Sequence, residues 1–531
     1  MPRILRGTLL VVLIAAVCGS VLSYSHEPLT HTTTRHSTLS KRDPSTVHYP
    51  RLTGPEGDWK PDDLGQSWPW KEDKVPKDFP KIQANQPQET TEEKEVRLYR
   101  QQRVKDAFLY SWNNFKKLAI DRRVDSIGPL TGENQFEYGW GALAVDSMDT
   151  MLIMNLTKQW QSVARLLPEL AFRLLAEHRN MLDLHEATAR FMGAMIAMAD
   201  LTGDKDKIFS YKAKELAFMV TKAFDTKNGL PLIRVQWEKH LTETIKRRGP
   251  ERLTLNELGG FGLEFTKMTQ FTRNMWFWTW VKKSYKFVEA RNGIETPMPG
   301  MYPNDFKAEF TPDKENRFRW DGTTYSMDKD ANEFYANIPK LHVLLGGANP
   351  DTAAQWGRIG VMSSRTKGGP AFPVKKNPLR KLGTFMTNTG VVEQKGCSAG
   401  ATMALAGKVF DQNYHARHAP QLTAGSLYAA SQMGTGILPE RSHWEFCGRF
   451  NASQDGPECG WEQFGNKKQW GSPTSVEDPS YCLGGELFES AFYMYRITGD
   501  KHWQEEAWKL FEKSSSTPRR SMGCESRVGE R

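Results

Sequence analysis

A helix that opens on a glutamate and stops at a Thr-Gly-Asp turn constrains this fold more than any other feature. One copy runs from Glu186 through an apolar segment to Thr202-Gly203-Asp204, and another runs from Glu486 to Thr498-Gly499-Asp500. A degenerate third copy runs from Glu264 to Thr272-Arg273-Asn274. Each stops at a small or polar terminator, after which a new helix begins. The first copy is apolar almost all round, so it needs partners on both sides. Repeated hairpins of this kind suggest a helical toroid in which inner helices are covered by outer ones.

The rest of the body keeps the helical period. Val104, Phe108, Trp112, Phe115 and Ala119 form one amphipathic stripe, and Leu143, Met148, Leu152, Leu166, Leu170 and Leu174 continue the pattern. Strand-like alternation is scarce, which predicts an all-α domain over residues 93–513. The 531 residues include 17 Trp, 15 Tyr and 27 Phe, enough apolar surface for one large core. A hydrophobic share of 39% excludes a polytopic membrane protein and a chain disordered throughout. The net charge of +9 is spread thinly and reads as a solvated surface, with no nucleic-acid partner expected.

Arg3 and Arg6 precede an apolar run that ends near Tyr24, so residues 1–24 read as a secretory-pathway segment, either a cleaved signal peptide or an uncleaved type II anchor. Residues 25–92, rich in Pro, Ser, Thr and Lys, read as a disordered stem. Of six cysteines, Cys18 lies in the targeting segment, leaving Cys397, Cys447, Cys459, Cys482 and Cys524, with no metal-ligand spacing among them. Cys447 and Cys459 could close a small loop in an oxidising lumen. Asn155 and Asn451 open glycosylation sequons; Asn155 falls in an apolar helical pattern, which leaves Asn451 as the better candidate.

A carboxylate in the first turn of an inner helix gains from the helix dipole and points to where the inner helices converge. A first-turn acid is also a common stabilising device, but three on look-alike helices point to an acidic pocket. Such a pocket suits glycoside hydrolysis, with one acid for the leaving oxygen and one base for water, and it equally suits a hard cation.

Several ordered blocks resemble glycoside hydrolase family 47, the class I α-1,2-mannosidases, most closely fungal members. They are VKDAFLYSWNNFKKLA (104–119), GWGALAVDSMDTMLIMNL (139–156), HEATARFMGAMIAMADLTGD (185–204), AFDTKNGLPLIRV (223–235), LGGFGLEFTKMTQFT (258–272), TGILPE (435–440) and ELFESAFYMYRITGD (486–500). The resemblance implies an (α/α)7 barrel, calcium (Ca2+) at the pocket base, and inverting release of mannose from high-mannose N-glycans in the endoplasmic reticulum or Golgi lumen. By position, Glu186 matches the catalytic acid, with Arg190 one turn later, and Glu440 matches a second catalytic carboxylate. Glu486 matches the glutamate of an Arg-Pro-Glu motif, and Glu264 and Glu489 match further pocket acids that would bind substrate.

Some slots depart from the family pattern. Ungapped alignment of residues 324–347 puts the family's catalytic Asp on Asn332 and removes a nearby Glu at Tyr335-Ala336-Asn337; Asp330 could substitute only if the helix start shifted. Asn332 keeps a substrate-binding place but cannot take a proton from water. The Arg-Pro-Glu motif reads Gly484-Gly485-Glu486, and a His-Leu-x-Cys-Phe segment reads Gln394-Lys395-Gly396-Cys397-Ser398. Ser426 falls on the usual partner-cysteine position, and Val124-Asp125-Ser126-Ile127 replaces another block. Residues 514–531 lose the likeness, so the barrel is expected to lack its last helices and its calcium-binding Thr, and no metal ligand can be assigned. The readings are an α-1,2-mannosidase, an inactive glycan-binding relative in glycoprotein quality control, or a truncated, non-functional product.

Overall fold

The computed structural model describes residues 79–516 apart from internal segments, the longest being 117–139, 290–300, 348–363 and 447–470. The targeting segment, Val124–Ile127, Asn451, Cys447, Cys459, Cys482, Cys524 and the tail after residue 516 lie outside the described residues. Among the described residues no helix is long and apolar enough to cross a membrane.

Helices of ten residues or more run, in chain order, over α1 Thr91–Phe115, α2 Gly193–Thr202, α3 Ile208–Thr221, α4 Gly262–Thr272 and α5 Met275–Glu289. They continue with α6 Asn332–Leu344, α7 Ala399–Val409, α8 Asn413–Gln432, α9 Glu486–Thr498 and α10 His502–Ser516. Consecutive helices pair as hairpins: α2 with α3, α4 with α5, α7 with α8, α9 with α10. The first member of each pair also packs sideways, α2 on α4, α4 on α6, α6 on α7 and α7 on α9. That is the inner wall of a helical barrel, and the flanking helices sheathe it. The segment expected to be stem ends on this wall, where Ala84 N–H donates to the carbonyl of Arg496 at 2.8 Å.

The hairpin turns repeat the same threonine bonds. Thr202, Thr272 and Thr498 each donate a hydroxyl bond of 2.6 Å to the carbonyl four residues back. Each hydroxyl oxygen then accepts from the amide two residues on, at 3.3, 3.3 and 3.1 Å. The Asp or Asn at that position caps the next helix: Asp204 accepts from Phe209 and Ser210, Asn274 from Trp276, and Asp500 from His502. Between Thr and Asp the chain turns left-handed, with φ of 71° at Gly203, 75° at Gly499 and 56° at Arg273.

The sequence reading missed short antiparallel ladders at the opposite end of the inner helices. Met181–Asp183 pairs with Arg234–Gln236, Arg252–Thr254 with Asp305–Glu309, and Val391–Glu393 with Arg441–Phe446. The first strand of each leads directly into a helical turn that starts an inner-wall segment, fixing where its first residues point. The exposed Asn155 (φ 56°) corrects another expectation: it sits in a left-handed turn after the helix Met148–Ile153, not inside a helix.

Candidate active site

The inner-wall segments present acids in their first turns at the laddered end. Glu186 lies in the turn Leu184–Ala187, whose cap Asp183 accepts from the Glu186 amide at 3.1 Å. Glu264 opens α4, and Glu486 and Glu489 open α9. Glu333, in the first turn of α6, was not expected. Glu440 enters from the loop before the strand Arg441–Phe446, its carbonyl accepting from the Gln394 amide at 3.2 Å.

Cations on the same wall draw these groups together. Lys395 lies 3.7 Å from Glu486 and within electrostatic reach of Glu333, Glu440 and Glu186. Lys340 contacts Glu489 at 3.2 Å, and His185 contacts Glu333 at 2.8 Å. Arg190 lies in a π-helical stretch, Thr188–Met192, holding Glu186 at 2.5 Å and Asp146 at 3.3 Å. A π-turn re-aims side chains within a helix, and such turns concentrate at functional sites.

Burial and pairing pull the carboxyls apart in acidity. Burial would raise Glu333, but His185, Lys395 and Lys340 overcome it and draw the carboxyl down to about 2. His185 answers in the opposite sense: burial disfavours its charge, yet Glu333, Asp183 and Glu186 push it up to about 9. For Glu264 burial dominates and pushes it up to about 7, with nearby Glu333 adding to the rise against the smaller pull of His185 and Lys340. Burial also raises Glu440 and Glu486 against the pull of Lys395, and lifts Asp146 to about 6 against Arg190. Glu264, Glu440 and Glu486 each keep a buried Oε2 with no hydrogen-bond partner. Unpartnered buried carboxyl oxygens are costly in a folded protein, and they are what a substrate hydroxyl or a reacting water would engage.

Asn332 is buried, its Oδ1 accepting from Asn256 Nδ2 at 2.9 Å, so it braces the start of α6. The carbonyl of Asp330 accepts from the Asn256 amide at 2.9 Å, and Ala336 and Asn337 are buried. The space beside Gly484 is taken by Gln394, whose Nε2 donates to the Gly484 carbonyl at 3.0 Å. Cys397 is a free, buried thiol lying against Ser426, and burial pushes it up to about 12. The sequence reading missed His185, Glu333, Lys340 and Asp146 and assigned Lys395 no role. Lys395 carried a visible signal, a cation in a slot where the family pattern has leucine.

That lysine bears on the calcium that the resemblance implies. Calcium takes six to eight oxygen ligands and favours carboxylates with no competing charge. Here an ammonium group already lies 3.7 Å from Glu486 in the field of Glu333, Glu440 and Glu186, and among the described residues no cluster of metal ligands forms, so the residues present do not fit the ion.

Comparison with known proteins agrees with the architecture. An α-1,2-mannosidase from Trichoderma reesei superimposes with a TM-score of 0.65 at 21% identity, covering 78% of this chain and 84% of that one. The probable mannosyl-oligosaccharide alpha-1,2-mannosidase 1B of Aspergillus fumigatus is 24% identical over 434 residues, 79% of this chain and 82% of the relative. The human endoplasmic reticulum mannosyl-oligosaccharide 1,2-alpha-mannosidase is 23% identical over 429 residues, 80% of this chain and 56% of the relative. The family description of glycosyl hydrolase family 47 matches residues 107–526, most of the chain and the whole described wall from α2 to α10. With the barrel and its acid-lined end in agreement with that match, this chain belongs to glycosyl hydrolase family 47.

Proposed function

We propose that this protein is a mannosyl-oligosaccharide α-1,2-mannosidase, hydrolysing terminal α-1,2-mannose of high-mannose N-glycans in the secretory pathway. Convergence of pocket carboxyls carries the reading: first-turn Glu264 and Glu486 and the loop residue Glu440 each retain an unpartnered buried oxygen. Hydrolysis with inversion needs a proton for the leaving oxygen and a carboxylate to take one from water. Glu186, oriented by Arg190, supplies the first role, and Glu486 with Glu440 supports water and substrate. Glu264, pushed up to about 7, keeps a proton near neutral pH and can donate to a sugar hydroxyl, while Glu489 is held by Lys340 at the same wall. Family relatives with the same substrate and the apolar segment 1–24 support a lumenal location, with the barrel of residues 93–513 carried on a stem.

A second reading, a glycan-binding relative without turnover, is favoured by one observation. The slot of a family catalytic Asp holds Asn332, which is bonded to Asn256 and offers no base. Mannose release from a high-mannose N-glycan separates the two. The enzyme reading expects release by the wild type and a loss of about 10²–10⁴-fold in Glu486→Gln with an unchanged fold. Folded wild type that binds the glycan without releasing mannose would leave the second reading standing.

A further inference from the structure

One of the pocket's cations is not where the family pattern puts it, although Arg190 keeps its place beside Glu186. The arginine expected two residues before Glu486 is Gly484, and a cation stands instead at Lys395, where the pattern has leucine. The two changes fit each other in space. A Cβ at residue 484 would lie 2.2 Å from Gln394 Cδ, so the neighbour of Lys395 fills the room an arginine would need. Lys395 itself lies in the tight turn Gln394–Ser398, pinned to α9 by Ser490, whose hydroxyl donates to the Cys397 carbonyl at 2.5 Å and accepts from the Ala401 amide at 2.9 Å. The half-buried ammonium lies 3.7 Å from Glu486 on α9, and Glu333 on α6, Glu440 on its loop and Glu186 on its short turn act on it electrostatically.

We propose that Lys395 is the resident cation of this pocket, and that the pocket works without calcium. A covalently tethered ammonium neutralises the glutamates at no cost in translational freedom, and it repels a dication from the same oxygens. The site remains able to hydrogen-bond sugar hydroxyls through Glu264, Glu440 and Glu486, whose second oxygens Lys395 leaves free.

The inference concerns the site of the proposed activity but does not need turnover, so its test reads binding and stability. Calcium chloride is titrated calorimetrically into the purified full chain, and melting is followed with calcium and with chelator. Absence of saturable heat and coincident melting curves are expected; saturable binding with a rise of several degrees would overturn the proposal. In a second arm, Lys395→Met and Lys395→Arg are melted from pH 5 to 8. With the ammonium gone, Arg190 still holds Glu186 and His185 and Lys340 still face Glu333, but Glu486 and Glu440 lose the charge that opposes their burial, so Lys395→Met should lose stability more steeply as pH rises, and Lys395→Arg should follow the wild type. Equal slopes in all three would remove Lys395 from the role, and the calcium titration decides the matter in the wild type even if the methionine variant does not fold. Loss of mannose release with an intact calcium-free melt would instead count against the enzyme reading alone.

Discussion

The two ends of the inner helices are built from similar residues to opposite purposes. At the C-terminal ends Thr202, Thr272 and Thr498 spend both hydroxyl capacities on the backbone, and Asp204, Asn274 and Asp500 cap the helices that follow. At the N-terminal ends Glu264 and Glu486 keep buried oxygens unpartnered, as does Glu440 on the loop beside them. Local satisfaction stabilises a turn and leaves nothing for a ligand; an unsatisfied carboxyl costs stability and is available for chemistry. One helix therefore carries a structural terminus and a reactive one, as a stability–function division predicts.

Sterics should break this contrast most sharply. Gly484 at the reactive end has Gln394 atoms 2.2–2.6 Å from where a Cβ would stand, whereas Gly203 at the structural end has nothing within 4 Å. Gly484→Arg, the change that would restore the family motif, is expected to cost about 3 kcal/mol or to prevent folding. Combining it with Gln394→Ala should recover much of the loss. Denaturant melts of the single and double variants check this, and additive losses would mean that the two sites do not compete for space.

Acidity sharpens the comparison next. The Glu264 carboxyl, at about 7 against an ordinary 4.5, binds its proton more tightly in the folded chain. Its stability contribution is therefore full below about pH 4.5 and is lost as pH rises through about 7, on the order of 2–3 kcal/mol. Glu264→Gln should remove that fall, read as the difference between variant and wild-type stability across the range. An unchanged difference would mean that Glu264 finds a partner in solution.

The hairpin turns were legible because their bonds span only two to six residues, so Thr-x-Asp or Thr-x-Asn carries its own geometry. First-turn acids were legible for the same reason, being defined by where a helix starts. Glu333 was not legible because the family slot falls on Asn332, the residue that faces Asn256; one step along a helix rotates a side chain by about 100°, onto the wall with His185. The His185–Glu333 and Lys395–Glu486 contacts join distant segments, and no local pattern announces them. The ladders escaped because three-residue strands such as Met181–Asp183 are too short for alternation to register.

The smallest effect isolates the backbone of the structural end. Gly203 and Gly499 take φ of 71° and 75°, and Arg273 takes 56° in the same place. An L side chain in that region costs about 1 kcal/mol, and Gly203 has no neighbour to add a clash. Gly203→Ala should therefore lose about 1 kcal/mol from strain alone, while Arg273→Gly should gain about 0.5–1 kcal/mol by relieving it. Both should leave the pocket's glycan binding or mannose release unchanged, because each turn lies a full helix away from the acids. Matched urea melts measure the pair. If Arg273→Gly loses stability instead, the arginine side chain holds the third turn more strongly than its backbone strains it, and the three turns are equivalent in geometry but not in energy.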